Sequence, residues 1–288
     1  MKPEDSKTRI FLDSGDPNET REVIRLLGFL DGQTTNPSLV SKNPAANAKL
    51  AQGEKFTLSD LRGFYKEIVQ EVSSLIPDGS VSVEVYADKN TTAEEMLEQG
   101  REMFSWIPGA HIKFPTTKAG LKAAEQAVKD GMRVNMTLCF SQEQAAAVYA
   151  ATRGARRGDV FVSPFIGRLD DRGENGMNLI ENIIKMYQKG DGHVEVLTAS
   201  VRNLNHLLCA IHLGSDIVTS PFKILKEWAE RGMPMPQKTF TYEAGGLQSL
   251  PYKELDLGKD WREFDISHEL TDAGIERFAS DWNSLLQN

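Results

Sequence analysis

Residues 80–115 read SVSVEVYADKNTTAEEMLEQGREMFSWIPGAHIKFP. The stretch opens on alternating β-branched residues, passes through an amphipathic run at 93–106 and returns to a short apolar run at 110–115. That is the pattern of a strand, a crossover helix and a second, parallel strand. Two residues do not fit a plain core: Glu84 stands in the first run and Lys113 in the second.

The same rhythm extends both ways. Earlier runs are TRIFLDS (8–14) and GQTTNPSLV (32–40); later ones are MRVNMTLCF (132–140), DVFVSPFIG (159–167), VEVLTASV (194–201) and SDIVTSPF (215–222). Helical spacing recurs between them at 18–27, 58–75 and 121–129. Eight βα units in one chain predict a closed (β/α)8 TIM barrel over about 8–235. Gly131, Gly158 and Gly214 each follow a helical run and precede a strand, where a left-handed cap is expected. Pro37, Pro115, Pro164 and Pro221 mark the places where ladders stop and loops begin.

Residues 41–57, rich in Ala and Lys, read as a surface loop or a short extra helix. Beyond Met235 the rhythm stops. A polar, turn-rich extension follows, and a final helix at 271–286 carries Ile275, Phe278, Trp282 and Leu285 on one stripe, to dock on the barrel or on a partner subunit. With no linker or repeat to divide it, 1–288 reads as one domain with a C-terminal extension.

A formal charge of −8 over 288 residues argues against a nucleic-acid partner, because no concentrated basic surface meets a phosphate backbone. The cluster Arg153, Arg156 and Arg157 reads as a solvated helix end. Cys139 and Cys209 lie in apolar stretches without a CxxC and read as core residues of a reduced compartment. The N-terminal MKPEDSKTRIFLDSG lacks an apolar leader and no run approaches a membrane span, so the expectation is a cytoplasmic protein with no membrane partner.

Polar residues cluster where barrel strands end, the face on which such barrels carry their chemistry. Asp13, Thr35, Asn36, Glu84, Lys113, Asn135 and Thr137 belong to the first five strands, Ser163 and Arg168 to the sixth, Ser200 and Arg202 to the seventh. Alternation puts Asn135 with Thr137, and Ser200 with Arg202, on shared faces. A buried charge without a partner costs several kcal/mol, so Glu84 and Lys113 need an explanation. One is an ion pair without chemistry. The other is an amine nucleophile beside an acid/base, since desolvation disfavours the ammonium form and leaves an amine able to add to a ketone. Arg168, Ser200 and Arg202 read either as a phosphate cradle or as solvated arginines. His111 reads as a packed core histidine; His206 and His212, six apart, do not make an i, i+4 metal pair. No metal site and no nucleotide loop is evident.

The segments GQTTNPSLV, VSVEVYA, HIKFPTTKAGLKA, NMTLCFSQEQA, SPFIGRLDDRG, TASVRN and GSDIVTSP, in this order, resemble the transaldolase family over residues 8–225. The resemblance implies that Lys113 is the Schiff-base lysine, Glu84 the carboxylate working through a water, Thr137 the residue holding that water, and Asp13 the acid/base of C–C cleavage. Thr35, Asn36, Asn135, Ser163 and Phe165 would line the substrate, and Arg168, Ser200 and Arg202 would bind phosphate. It further implies sugar phosphates as small-molecule substrates and a protonated imine as electron sink, with no cofactor. Fructose-6-phosphate aldolases of the same family typically carry glutamine and tyrosine where Glu84 and Phe165 stand, which favours transfer over cleavage. The last helix resembles one that short members exchange between neighbours, so a homo-oligomer stays open.

Overall fold

A computed structural model describes residues 2, 3 and 7–287; the N-terminal reading therefore rests in part on positions 1 and 4–6, which lie outside the described residues. The first two units are β1 (Arg9–Asp13), α1 (Pro17–Leu27) and β2 (Gly32–Thr34), the last followed by α2 (Pro37–Ser41), α3 (Pro44–Ala51) and α4 (Leu58–Leu75). Next come β3 (Ser80–Glu84), α5 (Ala93–Phe104), β4 (Ala110–Pro115), α6 (Lys118–Lys129), β5 (Val134–Cys139) and α7 (Gln142–Ala151). The barrel is completed by β6 (Val160–Pro164), α8 (Ile166–Asp170), α9 (Gly176–Tyr187), β7 (Val194–Thr198), α10 (Leu204–Leu213), β8 (Ile217–Ser220) and α11 (Phe222–Glu230), and the last helix is α12 (Glu269–Asn283). The eight strands run parallel in sequence order, and β1 pairs with both β2 and β8, which closes the (β/α)8 barrel.

Local chemistry explains the element boundaries. Asp16, Thr57, Thr92, Thr117, Ser141 and Asn203 each cap a helix by accepting from a backbone N–H, satisfying donors the first turn leaves unpaired. The same device corrects the sequence reading at PSLV: Asn36 caps Leu39 N–H at 2.9 Å and Pro37 takes the first helical position, so these residues form α2 rather than continue β2. Likewise IGR belongs to α8, and β7 ends at Thr198, so Arg168, Ser200 and Arg202 are not strand residues. Gly214 caps α10 in the left-handed region and Gly131 lies there just past α6, whereas Gly158 sits in a turn well beyond the end of α7.

Inward-facing residues fill the barrel in layers. At the base His111 stacks on Phe161 with ring centroids 4.0 Å apart, Phe11 meets Phe161 edge-on, and Arg9 pairs with Glu195 at 2.6 Å. Burial pushes the His111 imidazole down to about 3, so it is a neutral packing residue bonded to Ser80 and the Gly158 carbonyl. A polar layer of Ser82, Asn135 and Ser163 lies above: Ser163 donates to Asn135 Oδ1 at 2.6 Å and Asn135 donates to Ser82 at 3.0 Å.

α6 lies tight against β4. A Cβ on Gly120 would sit 1.9 Å from the Pro115 carbonyl oxygen, which is backbone and cannot yield. Gly120→Ala is therefore expected to lower stability by about 2–3 kcal/mol, measured by urea unfolding, as overpacking does in a dense interior. An unchanged midpoint would mean that α6 shifts freely.

The segment after α11 is a strap across the outer helices. Gln248 exchanges backbone hydrogen bonds with Gly173 and Asn175, and Asn182 donates to the Leu250 carbonyl. The Gln142 amide brackets Lys253 by donating to its carbonyl and accepting from its N–H, and Trp261 Nε1 donates to Glu125 at 3.0 Å. Arg153, expected to be solvated, donates to the carbonyls of Leu257 and Lys259 and so holds the strap. This path delivers α12 to the barrel end, where Ile275, Phe278, Trp282 and Leu285 are buried, as their spacing predicts. Within residues 41–57 the short extra helix is α3.

Candidate active site

The carboxyl ends of the strands enclose a cavity of about 190 Å³. Lys113 reaches it from β4 while only 3% exposed, and Glu84, 5% exposed, lies behind it. Register pairs the two residues directly across neighbouring strands, which brings Lys113 Nζ to 2.7 Å from Glu84 Oε2. The ammonium donates to the Thr35 carbonyl at 2.8 Å instead, leaving Glu84 Oε2 close but poorly aligned for a hydrogen bond. Burial pushes the Glu84 carboxyl above its ordinary range, and the neighbouring Lys113 charge opposes that shift.

Asp13 stands on the opposite wall, at the end of β1. Thr34 donates its single hydroxyl proton to Asp13 at 2.6 Å, so Thr219, 2.7 Å away, must donate to Thr34. Desolvation raises the Asp13 carboxyl, against the pull of Lys113, the Thr34 hydrogen bond and Lys42. Desolvation thus raises both carboxyls, Asp13 and Glu84, against the pull of the Lys113 charge between them, the kind of arrangement that marks acid/base sites. Thr137, from β5, presents a buried hydroxyl with no hydrogen-bond partner among the described residues. A buried hydroxyl left so costs about 1–3 kcal/mol, which favours a polar ligand beside it.

Other residues named from sequence fall into distinct places. Asn36, Ser163, Phe165, Arg168, Ser200 and Arg202 line the cavity. Thr35 does not: its hydroxyl donates to the Ser82 carbonyl and accepts from Tyr65, and Thr34, one residue earlier, faces the cavity in its place. Asn135 lies a layer below, engaged by Ser82 and Ser163. Ser200 adopts φ 61°, outside any strand, so alternation does not govern its side chain; Leu138, at the register shift between β5 and β6, has φ 57°. Such conformations cost on the order of 1–3 kcal/mol for non-glycine residues and gather at functional rims.

The rim is basic. Arg168 stacks between the rings of Phe165 and Phe278, 5.5 Å from each, and makes no hydrogen bond or ion pair among the described residues. Burial first, then the charges of Arg277 and Arg202, hold its guanidinium below the usual range. Arg202 pairs with Asp171 at 2.8 Å. Its backbone N–H donates to His206 Nδ1, which leaves the His206 proton on Nε2 facing Asp170 at 2.8 Å.

Sequence reasoning did not reach Thr34, Lys42, Arg277 or Phe278, which also line the cavity. The stripe on α12 revealed a buried face but not the surface it meets. A larger cavity, about 590 Å³, opens at the other end of the barrel. Most of its charges are already committed, Arg9 to Glu195, Asp31 to Lys2, and Arg133 to the carbonyls of Ala110 and Pro108, and it holds no lysine. Among the described residues no three or more His, Cys, Asp or Glu side chains gather as metal ligands would, and no helix is long and apolar enough to cross a membrane.

The comparison with known proteins bears on this lysine and its two carboxylates at the mouth of a parallel barrel. The family model described as Transaldolase/Fructose-6-phosphate aldolase matches residues 10–288. The chain belongs to the transaldolase/fructose-6-phosphate aldolase family. It is similar to a protein named "Probable transaldolase" in Dehalococcoides mccartyi, 36% identical over 277 residues, covering 96% of this chain and 99% of that one. Proteins of the same name in Roseiflexus castenholzii (33% over 279 residues, 97% and 99% covered) and Heliobacterium modesticaldum (34% over 277 residues, 96% and 98% covered) are also similar. The match extends through the strap and α12, so this transaldolase-family chain shares its C-terminal extension with these relatives.

Proposed function

We propose that the protein is a transaldolase, which moves a dihydroxyacetone unit from a ketose phosphate such as fructose 6-phosphate or sedoheptulose 7-phosphate to an aldose phosphate through a Schiff base on Lys113. The observation that carries this reading is the buried amine of Lys113 held 2.7 Å from Glu84 with Asp13 across the same cavity. The amine adds to C2 of the ketose. Glu84, whose raised carboxyl can carry a proton, supports the departure of the C2 oxygen as water, and the unpartnered Thr137 hydroxyl on the cavity can hold that water.

Asp13 takes the proton of the C4 hydroxyl, the C3–C4 bond breaks into the protonated imine, and the aldose phosphate leaves. The three-carbon enamine stays on Lys113 until a second aldose phosphate accepts it by the reverse steps. Asn36 and Ser163 face the sugar chain, and the basic rim receives the phosphate. Glu84 and Phe165 support transfer over simple cleavage.

Incubation with fructose 6-phosphate and borohydride is expected to fix one three-carbon unit on Lys113, read by mass spectrometry of the labelled peptide. No label on the wild-type protein sinks the reading. Release of free dihydroxyacetone at the same rate with and without erythrose 4-phosphate would instead favour an aldolase.

A further inference from the structure

The hydrogen-bond ladder between β2 and β3 breaks off one rung early, beside Lys113. The Thr35 N–H donates to the Ser82 carbonyl at 3.1 Å, so a regular parallel ladder would next have the Glu84 N–H donate back to the Thr35 carbonyl. Instead the Glu84 N–H donates to the Tyr65 hydroxyl oxygen at 2.9 Å, and the Thr35 carbonyl accepts from Lys113 Nζ at 2.8 Å. A buried backbone N–H and a buried carbonyl each need a partner. The lysine can hold that carbonyl only because the tyrosine has taken the amide.

Tyr65 is fixed for this exchange. It comes from α4, is fully buried, and its ring meets Trp106 and, from α12, Trp282 edge-on, with centroids 5.9 Å away in both cases. Thr35 gives its hydroxyl proton to the Ser82 carbonyl, so across 2.6 Å Tyr65 is the donor to Thr35 Oγ1. Burial pushes the Tyr65 phenol above its usual range, which keeps that proton in place. Tyr65 does not line the cavity. We propose that Tyr65 is a positioning residue of this site: by replacing the Thr35 carbonyl as partner of the Glu84 amide, it frees that carbonyl to hold the Lys113 amine out of line with Glu84 and available to the cavity. Without the hydroxyl, the Glu84 N–H recaptures the Thr35 carbonyl, the rung closes, and the amine turns onto Glu84 Oε2 as a plain ion pair.

The consequence for turnover rests on the transaldolase reading of Lys113, but the open rung does not. The test therefore begins with a reaction common to accessible amines. Wild type and Tyr65→Phe are treated with limiting formaldehyde and cyanoborohydride, and methylation of Lys113 is read by peptide mass spectrometry against that of exposed Lys42. Tyr65→Phe keeps the ring between its two tryptophans and is expected to lower the ratio of Lys113 to Lys42 methylation about tenfold, the order of one buried hydrogen bond. A variant that merely loosened the fold would uncover buried Lys113 and raise the ratio. In turnover, kcat of Tyr65→Phe is expected to fall about tenfold with KM unchanged. In wild type, the Glu84 amide proton is expected to show a nuclear Overhauser effect to the Tyr65 ring, a measurement that needs no variant to fold. A methylation ratio within twofold of wild type or above it, a turnover loss confined to KM, or absence of that effect overturns the proposal. Failure of fructose 6-phosphate to trap on the wild type bears on the function and leaves the methylation ratio to be read by itself.

Discussion

Lys113→Met is expected to lower transaldolase turnover by at least about 10⁴-fold and to abolish borohydride-dependent labelling, because it removes the covalent route and leaves only binding and polarisation. Methionine keeps the unbranched shape that threads between β3 and β5, so the loss reads chemistry rather than collapse. Residual labelling on another lysine would reassign the nucleophile. No other lysine competes on position: Lys42, the second lysine on the cavity, is exposed at the end of α2.

The same substitution tests the bland alternative, an ion pair with only a structural role. Removing one member of a buried pair leaves the other uncompensated, typically at about 3–5 kcal/mol. Glu84 is already raised above its ordinary value of 4.5 by desolvation, with Lys113 opposing. Without that amine it rises further, and the folded state then binds a proton that the unfolded state has released. Its contribution is intact below the unfolded value and is lost as pH climbs through the folded one. Lys113→Met is therefore expected to cost little stability near pH 4 and progressively more toward pH 7, with Glu84→Gln in the same chain removing the pH dependence. Urea unfolding across that range checks it; a flat difference would place the penalty in packing instead.

How far these residues were legible follows from what sets each position. Strand cores such as RIFLD and VNMTLC announce themselves because burial on both faces demands continuous apolar or β-branched residues. Lys113 and Glu84 stood out for the converse reason, as charges inside such runs. Position failed where the strand stopped early: Thr35, named as a strand-end residue, yields the cavity to Thr34, and alternation does not reach Ser200, which turns through φ 61° beyond β7. Local pattern carries no information about Arg277, which reaches the rim only because the strap, held by Gln142, Arg153 and Asn182, returns the chain across the barrel. That is a long-range consequence of packing.

Asp13→Asn separates the steps that Lys113→Met removes together. If Asp13 acts only in breaking and making the C3–C4 bond, the amide variant still condenses with fructose 6-phosphate but does not cleave it. Turnover is expected to fall by about 10²–10⁴-fold, the span of a positioned general base. Borohydride should then fix the intact six-carbon sugar phosphate on Lys113 in place of the three-carbon unit, a mass difference that identifies the blocked step. The pH profile gives a second reading. Asp13 must be ionised to take the proton, and desolvation raises it from its ordinary 3.8, so the acid limb of kcat/KM in wild type should lie above that value and vanish in the variant. Thr34→Val, which deletes a hydrogen bond to the ionised form, should push the limb to still higher pH. An Asn variant that turns over at the wild-type rate, or that traps the three-carbon unit, would remove Asp13 from the cleavage step and leave Glu84 as the remaining carboxylate beside the reacting carbons.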